Sequence, residues 1–250
     1  MRPRTAVTET ATRNWSVYGG VTRELAELVA TLAAAGERRL PPEDELGTRL
    51  GVSRPTIRSA LQELESQGQI RRQHGRGTFI NSHALGLAVN VAQDRTFIDI
   101  LTDLGYTPRI RVRGLRAAEL TREQADRLGL DAPEPACVVE RRYDASGKPA
   151  ILVVDVVPQR FLPRPPGQLT AEDSTFDFIN RHTGRSVSYS VASIRPVLAD
   201  ERVRTALRLA ADSPVLMLDH LHIDQDDRAV ALTDAYINDR YLRFSVVRTR

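Results

Sequence analysis

The sequence predicts an α+β protein of two domains: a small helical one closed by a β-hairpin, and a larger one built on a mostly antiparallel sheet. Three observations carry this. Residues 40–80 hold two short amphipathic helices, a sharp turn and a glycine-tipped basic hairpin. Residues 109–247 contain several runs in which apolar and polar side chains alternate, the pattern of half-buried strands. Short helical stretches interrupt those runs irregularly, which points away from the strand–helix alternation of a parallel sheet. With 250 residues, 41% of them hydrophobic, the chain can bury two modest cores.

Residues 1–15, rich in Thr, Arg and Ala, read as a disordered tail. From Tyr18 an amphipathic helix is expected, with Val21, Leu25, Leu28, Val29 and Leu32 on one face and an end near Gly36. Pro41 and Pro42 stop that segment and open the next helix, because proline is tolerated in a first helical turn. Glu43, Asp44 and Glu45 then lie where the helix dipole favours negative charge. Leu46 and Leu50 share a face, and Gly51 is a stop. Ser53 is a good N-cap for a second helix with the stripe Ile57, Leu61, Leu64, ended by Gly68. A hairpin spans Ile70 to Ile80.

Helix, turn, helix and basic hairpin in this order form the layout of a winged helix-turn-helix, which lays its second helix in the DNA major groove. The candidate contacts follow from position. Pro42 and Glu43 open the first helix, and Ser53, Arg54, Thr56 and Arg58 begin the recognition helix. Arg can bridge guanine O6 and N7 with two hydrogen bonds, which Lys cannot match. In the hairpin, Arg72 and His74 flank the tip Gly75-Arg76-Gly77, where two glycines permit a tight turn and Arg76 is placed to enter a minor groove.

The segments LPPEDELGTRLGVSRPTIR and LQELESQGQIRRQHGRGTFI resemble the GntR family of bacterial transcription regulators, over about the first third of the chain. One departure stands out: where the family often carries Arg after the Glu of its LPSER-like segment, this chain has Asp44, which reverses the local charge. The DNA-binding domain is placed at residues 16–82. The whole net charge of +3 falls in residues 1–82, where 12 arginines face nine acids. This excess is small, so its clustering in the hairpin matters more than its size.

Cys137 is the only cysteine, so no intrachain disulfide or CxxC metal site is expected, and a small core residue is the simplest reading. No long apolar run and no signal-like leader are present, which points to a cytoplasmic protein without a membrane partner. Residues 83–94 read as a linker, although Leu85, Leu87, Val89 and Val91 alternate well enough for a short strand.

The second domain, residues 95–250, opens with a helix carrying Phe97, Ile98, Leu101 and Leu104 and closed by Gly105. A strand over 109–116, a short helix from Thr121, a strand over 138–143 and a buried strand over 151–157 follow. Phe176, Phe178 and Ile179 mark another helix, and 187–198 another strand. Asp200 caps a helix carrying Val203, Ala206, Leu207 and Leu209, and strands are expected over 215–223 and from Ala229 to Val247.

The segments FIDILTDLGYTPR, RRYDASGKPAILVVDVVP and PVLMLDHLHIDQDDRAVALTDAYINDRY resemble the effector-binding (UTRA) domain of the HutC subfamily. That resemblance implies a chorismate-lyase-like fold, a homodimer and a small-molecule effector. In the family, sugar phosphates are held by a hydroxyl before the first helix, an R-x-R strand pair and a Ser-x-Tyr helix start. Thr96, Arg141 and Ser174 stand at matching positions, whereas Tyr143 replaces the second Arg and Phe176 the Tyr. Two family acids become Val153 and Val230. Fewer donors and acids disfavour a phosphosugar. Arg141, Tyr143, Phe176, Tyr189, Asp155, Asp234 and Tyr236 remain as a candidate pocket for a partly apolar effector with an anionic or carbonyl group, met by Arg141. His220 and His222 face the same way on a strand, but two imidazoles fall short of a structural zinc set, and no metal or other cofactor is expected.

The expected function is a ligand-responsive repressor that binds a palindromic operator as a homodimer. The alternatives are a constitutive DNA-binding repressor whose second domain only dimerises and, against the absence of a recognisable catalytic set, a lyase.

Overall fold

The computed structural model describes residues 6–85 and 95–245, with side chains described from residue 20 onward. The chain divides into two compact units, the second covering 91–244.

In the first unit, helix α1 (Ala6–Ala34) begins well before Tyr18. Residues 6–15, expected in a disordered tail, are therefore helical; no proline lies between Pro3 and Pro41 to stop propagation. Residues 1–5 of that tail, and 86–94 of the expected linker or short strand, lie outside the described residues. Helix α2 (Glu43–Leu50) starts after Pro42 and ends at Gly51, whose φ of 65° is the left-handed geometry that glycine adopts without a Cβ penalty. Helix α3 (Arg54–Ser66) is capped by Ser53, whose side chain accepts from the Thr56 N–H, and Pro55 sits in its first turn. Leu25, Val29, Leu46, Ile57, Leu61 and Leu64 close the core.

Strands β1 (Ile70–Gln73) and β2 (Gly77–Ile80) pair antiparallel from Ile70 opposite Ile80 to Gln73 opposite Gly77. A third segment joins them. Leu40 N–H donates to the Thr78 carbonyl and Ile80 N–H to the Arg38 carbonyl, both at 2.9 Å, and Arg39 bridges Phe79. This segment is too short to show alternation in the sequence.

The second unit is one antiparallel sheet of six strands: β3 (Pro108–Glu119), β4 (Pro135–Ala145), β5 (Lys148–Pro158), β6 (Val187–Leu198), β7 (Pro214–Asp224) and β8 (Ala229–Ile237). Their spatial order is β3-β4-β5-β8-β7-β6. This matches the α+β class with an antiparallel sheet. Strand β5 is buried from Pro149 to Pro158, as its near-continuous Val/Leu/Ile run requires. Each such side chain contributes about 1.5–3 kcal/mol by leaving water. The strand expected from Ala229 to Val247 ends at Ile237, because the Asn238 side chain bonds the Arg240 N–H and turns the chain; residues 246 and 247 of that expectation lie outside the described residues.

Alternation fixes what each sheet face carries. One face holds helices α4 (Phe97–Asp103) and α6 (Thr175–Thr183), with Phe178 and Ile179 packed on Cys137, Val139 and Val157. Burial pushes the Cys137 thiol up to about 11, so it is an inert core residue. The other face holds helices α5 (Arg122–Arg127) and α7 (Glu201–Leu207). Leu209, expected on the last of these, lies beyond its end, where Arg208 turns left-handed.

Candidate nucleic-acid interface and ligand pocket

The start of α3 and the tip of the β1–β2 hairpin carry exposed cations. Arg54 and Arg58 keep 63% and 64% of their side chains exposed. Each is met by an acid from the first turn of α2: Arg54 Nε lies 2.5 Å from Asp44 Oδ1, and Arg58 Nη2 lies 3.1 Å from Glu43 Oε2. Ser53 and Thr56 are bound to one another, hydroxyl to hydroxyl at 2.8 Å, as part of the cap. Arg72 is used internally: its Nη2 donates to the Arg58 carbonyl at 2.8 Å and its backbone N–H to Glu65, fastening the hairpin to α3. Pro42, His74, Gly75, Arg76 and Gly77 are exposed. Gly75 and Gly77 both have positive φ, 71° and 103°. A Cβ on Gly77 would lie 2.8 Å from the Arg39 guanidinium, a flexible side-chain end that would have to move aside, and its backbone angle is one that favours glycine.

The second unit contains a partly open cavity of about 60 Å³ between the starts of α4 and α6 and the sheet. Four of the expected effector residues line it: Thr96, Tyr143, Ser174 and Phe176. Thr96 and Ser174 are the N-caps of the two helices, accepting from the N–H groups of Asp99 and Asp177. Tyr143 meets Phe97 edge-on at 5.7 Å, and burial pushes its phenol up, so it stays protonated. Strands β7 and β8 supply the floor with His220, His222 and Thr233. The His220 and His222 rings stack with centroids 5.7 Å apart, and Phe176 meets His222 edge-on. Burial, reinforced by His220, pulls the His222 pKa from 6.5 down to about 3. The sequence points to these histidines only as metal ligands and does not single out Thr175 and Thr233, which also line the cavity. The alternation of Leu218, His220 and His222 on one strand face was the available signal.

Arg141 and Asp155 lie beneath this floor rather than on the cavity wall. Both are fully buried and form an ion pair through Arg141 Nη1 and Asp155 Oδ2. Arg141 Nε also donates to the Ala171 carbonyl at 2.9 Å, and its guanidinium lies 4.9 Å from the Phe178 ring centre. Its Nη2 has no hydrogen-bond partner. Asp155 Oδ1 accepts from Thr175 Oγ1 at 2.9 Å and from Thr233 Oγ1 at 2.6 Å.

Three other expected effector residues are elsewhere. Tyr189 is 47% exposed on the edge strand β6 and donates to Asp227 at 2.8 Å. Asp234 and Tyr236 share a face, as expected, but it is the opposite face, because they alternate with Thr233 along β8. There Asp234 stands across from Asp219, which pairs with Arg127 at 2.5 Å, and burial together with Asp219 raises the Asp234 carboxyl. Tyr236 lies under Arg202.

Residues 17–80 match the family model of bacterial regulatory proteins of the gntR family, and residues 103–242 match that of the UTRA domain, more than half of the chain. The chain is a GntR-family transcriptional regulator with a UTRA domain. Among similar proteins, the HTH-type transcriptional regulator Rv0792c of Mycobacterium tuberculosis is 29% identical over 85% of this chain and 78% of its own. The HTH-type transcriptional repressor NagR of Bacillus subtilis is 24% identical over 90% and 92%. The fold is shared with the crystal structure of PhnF from Mycobacterium smegmatis, at a TM-score of 0.59 and 23% identity over 92% of this chain and 99% of that one. It is also shared with the possible regulator YydK from Bacillus subtilis, at 0.69 and 19% over 93% and 99%. The cavity lies in the second unit, and its lining from Tyr143 to Thr233 falls within the residues that match the UTRA domain.

Proposed function

We propose that this regulator is a repressor that binds a palindromic operator as a homodimer and leaves it when a small molecule enters the UTRA cavity. The observation that carries this is the cavity itself, part aromatic and part polar, and built on the caps of two helices. The names of two relatives, the repressors NagR and PhnF, support the sign of regulation. Exposed Arg54 and Arg58 on α3 and Arg76 on the hairpin supply base and phosphate contacts. Pairing of two copies is supported by β6, a twelve-residue edge strand exposing Val191, Ile194 and Leu198. A palindromic operator follows from such a dimer. The function is regulatory rather than enzymatic, and cytoplasmic, where the DNA is.

One observation favours constitutive binding instead. At about 60 Å³ the cavity is smaller than the roughly 300–1,000 Å³ of ordinary ligand sites. An effector must open it, by moving Phe176 or the start of α4. Operator duplexes selected from a random library, followed by native mass spectrometry with and without cell-extract metabolites, separate the two. A bound small molecule that lowers operator occupancy supports the repressor; unchanged occupancy across all extracts supports the constitutive protein.

A further inference from the structure

We propose that the cavity selects a ligand that donates hydrogen bonds, an amine on an apolar body, and rejects carboxylates and phosphates. This rests on reading the cavity as the effector site and names the chemistry of what enters it.

Five hydroxyls line the cavity; the Tyr143 phenol keeps its proton, and the other four each donate to a carboxylate. Thr96 donates to Asp99 at 2.7 Å and Ser174 to Asp177 at 2.6 Å. Thr175 and Thr233 both donate to Asp155. A hydroxyl has one proton, and an ionised carboxylate only accepts. Toward a ligand, these four oxygens therefore offer lone pairs alone.

The same logic fixes His222. Because the Thr233 proton points to Asp155, Thr233 Oγ1 must accept from His222 Nε2 at 2.9 Å. The ring proton then sits on Nε2, and Nδ1 accepts from the Ser190 hydroxyl at 2.8 Å. Both nitrogens are held by the protein, and the ligand meets only the ring.

Cations do not restore the balance. Arg141 pairs with Asp155 below the floor and is off the cavity wall, its unpartnered Nη2 included. Arg95, which does line the cavity, lies 2.5 Å from Asp103. Nor do the two helix starts offer an anion site. Asp177 in α6 and Asp99 in α4 already place an acid in the first turn, and their N–H groups are taken by the caps. Three carboxylates thus back the cavity against the buried Arg141 guanidinium and the Arg95 guanidinium paired with Asp103. An anion here would exchange its hydration for few donors, the Tyr143 phenol and the Arg95 N–H groups that Asp103 leaves, whereas an ammonium or N–H group meets four oriented lone-pair oxygens. Phe97, Tyr143 and Phe176 add ring surface that an apolar body, and a cation over a ring face, can use.

The test uses the full-length protein and three probes with nearly the same body: benzylamine, benzoate and phenyl phosphate. Calorimetric titration and thermal shift are expected to show benzylamine binding at least about tenfold more tightly than either anion. The Thr233→Val variant, verified as folded by circular dichroism, is expected to lose that binding, and Thr233→Ser to restore it. Tighter binding of benzoate or phenyl phosphate overturns the ligand class while leaving the cavity as a site. Benzylamine binding that survives in folded Thr233→Val places the amine elsewhere and overturns it too. No binding of any probe overturns both the class and the effector-site reading beneath it.

Discussion

Asp44 Oδ1 lies 2.5 Å from Arg54 Nε, joining the first turn of α2 to the first residue of the recognition helix. Both side chains are 63% exposed, so the pair adds little to stability. Its effect is on orientation. With Nε held by Asp44, the two terminal nitrogens of Arg54 remain as a fork, the edge that grips guanine O6 and N7. The acid also repels phosphate. Asp44→Ala should therefore tighten binding to random duplexes and steepen the salt dependence by about one unit, while shrinking the preference for the selected operator. Arg54→Ala should cost about 1–3 kcal/mol on the operator and less on random DNA. Fluorescence anisotropy over a potassium chloride series reads both; equal effects on the two DNAs would reassign Arg54 to the backbone.

The hairpin tip makes a separate prediction. Gly77→Ala places a methyl group 2.8 Å from the Arg39 guanidinium at a φ of 103°, so it should displace Arg39 and distort the tip. Arg76→Ala leaves the geometry intact and removes one cation, so it should lower the salt slope by about one unit. Gly77→Ala should weaken operator binding without that simple unit change. Normal operator binding by Gly77→Ala would mean that the tip does not enter a groove.

Much of this was legible in the chain. Punctuation gave the first unit: Gly51, Ser53 and Gly68 each end or cap a helix where expected. Strand alternation gave the second unit, and the shared face of Asp234 and Tyr236 was correctly read. What alternation could not give was which face holds the cavity. A period of two separates the faces but does not say which helices cover each one. Arg141 and Asp155 shared the cavity face, yet burial depth, which a sequence pattern does not encode, set them beneath the floor. The third hairpin segment around Arg39 was invisible because three residues carry no period.

Arg141, first expected to touch the effector, is an organising core residue. Asp155→Ala leaves its guanidinium buried and unpaired and removes the acceptor for Thr175 and Thr233. A loss of about 3–5 kcal/mol is expected, as for breaking a buried pair from one side. Replacing both members, Arg141→Met with Asp155→Leu, should recover most of it. Urea unfolding followed by circular dichroism measures the three proteins, and a double variant no more stable than Asp155→Ala contradicts the pairing argument.

The last prediction concerns acid. His222 titrates near 6.5 when unfolded and at about 3 when folded, because burial and neighbouring His220 disfavour its charged form. Between those values the unfolded chain binds a proton that the folded chain refuses, so stability rises with pH across the window and falls on acidification. At pH 5 the loss relative to neutral pH is about 2 kcal/mol, from about 1.4 kcal/mol for each unit of pH below 6.5. The contribution is fully present above pH 6.5. His222→Gln keeps a side-chain N–H donor and an acceptor but cannot titrate, so it should be less stable at pH 7.5, where the native network is whole, and lose less on going to pH 5. Thermal melts at both pH values give the comparison. An equal drop for the wild type and His222→Gln would remove His222 as the acid-sensitive group and, with it, the fixed proton order proposed for the cavity floor.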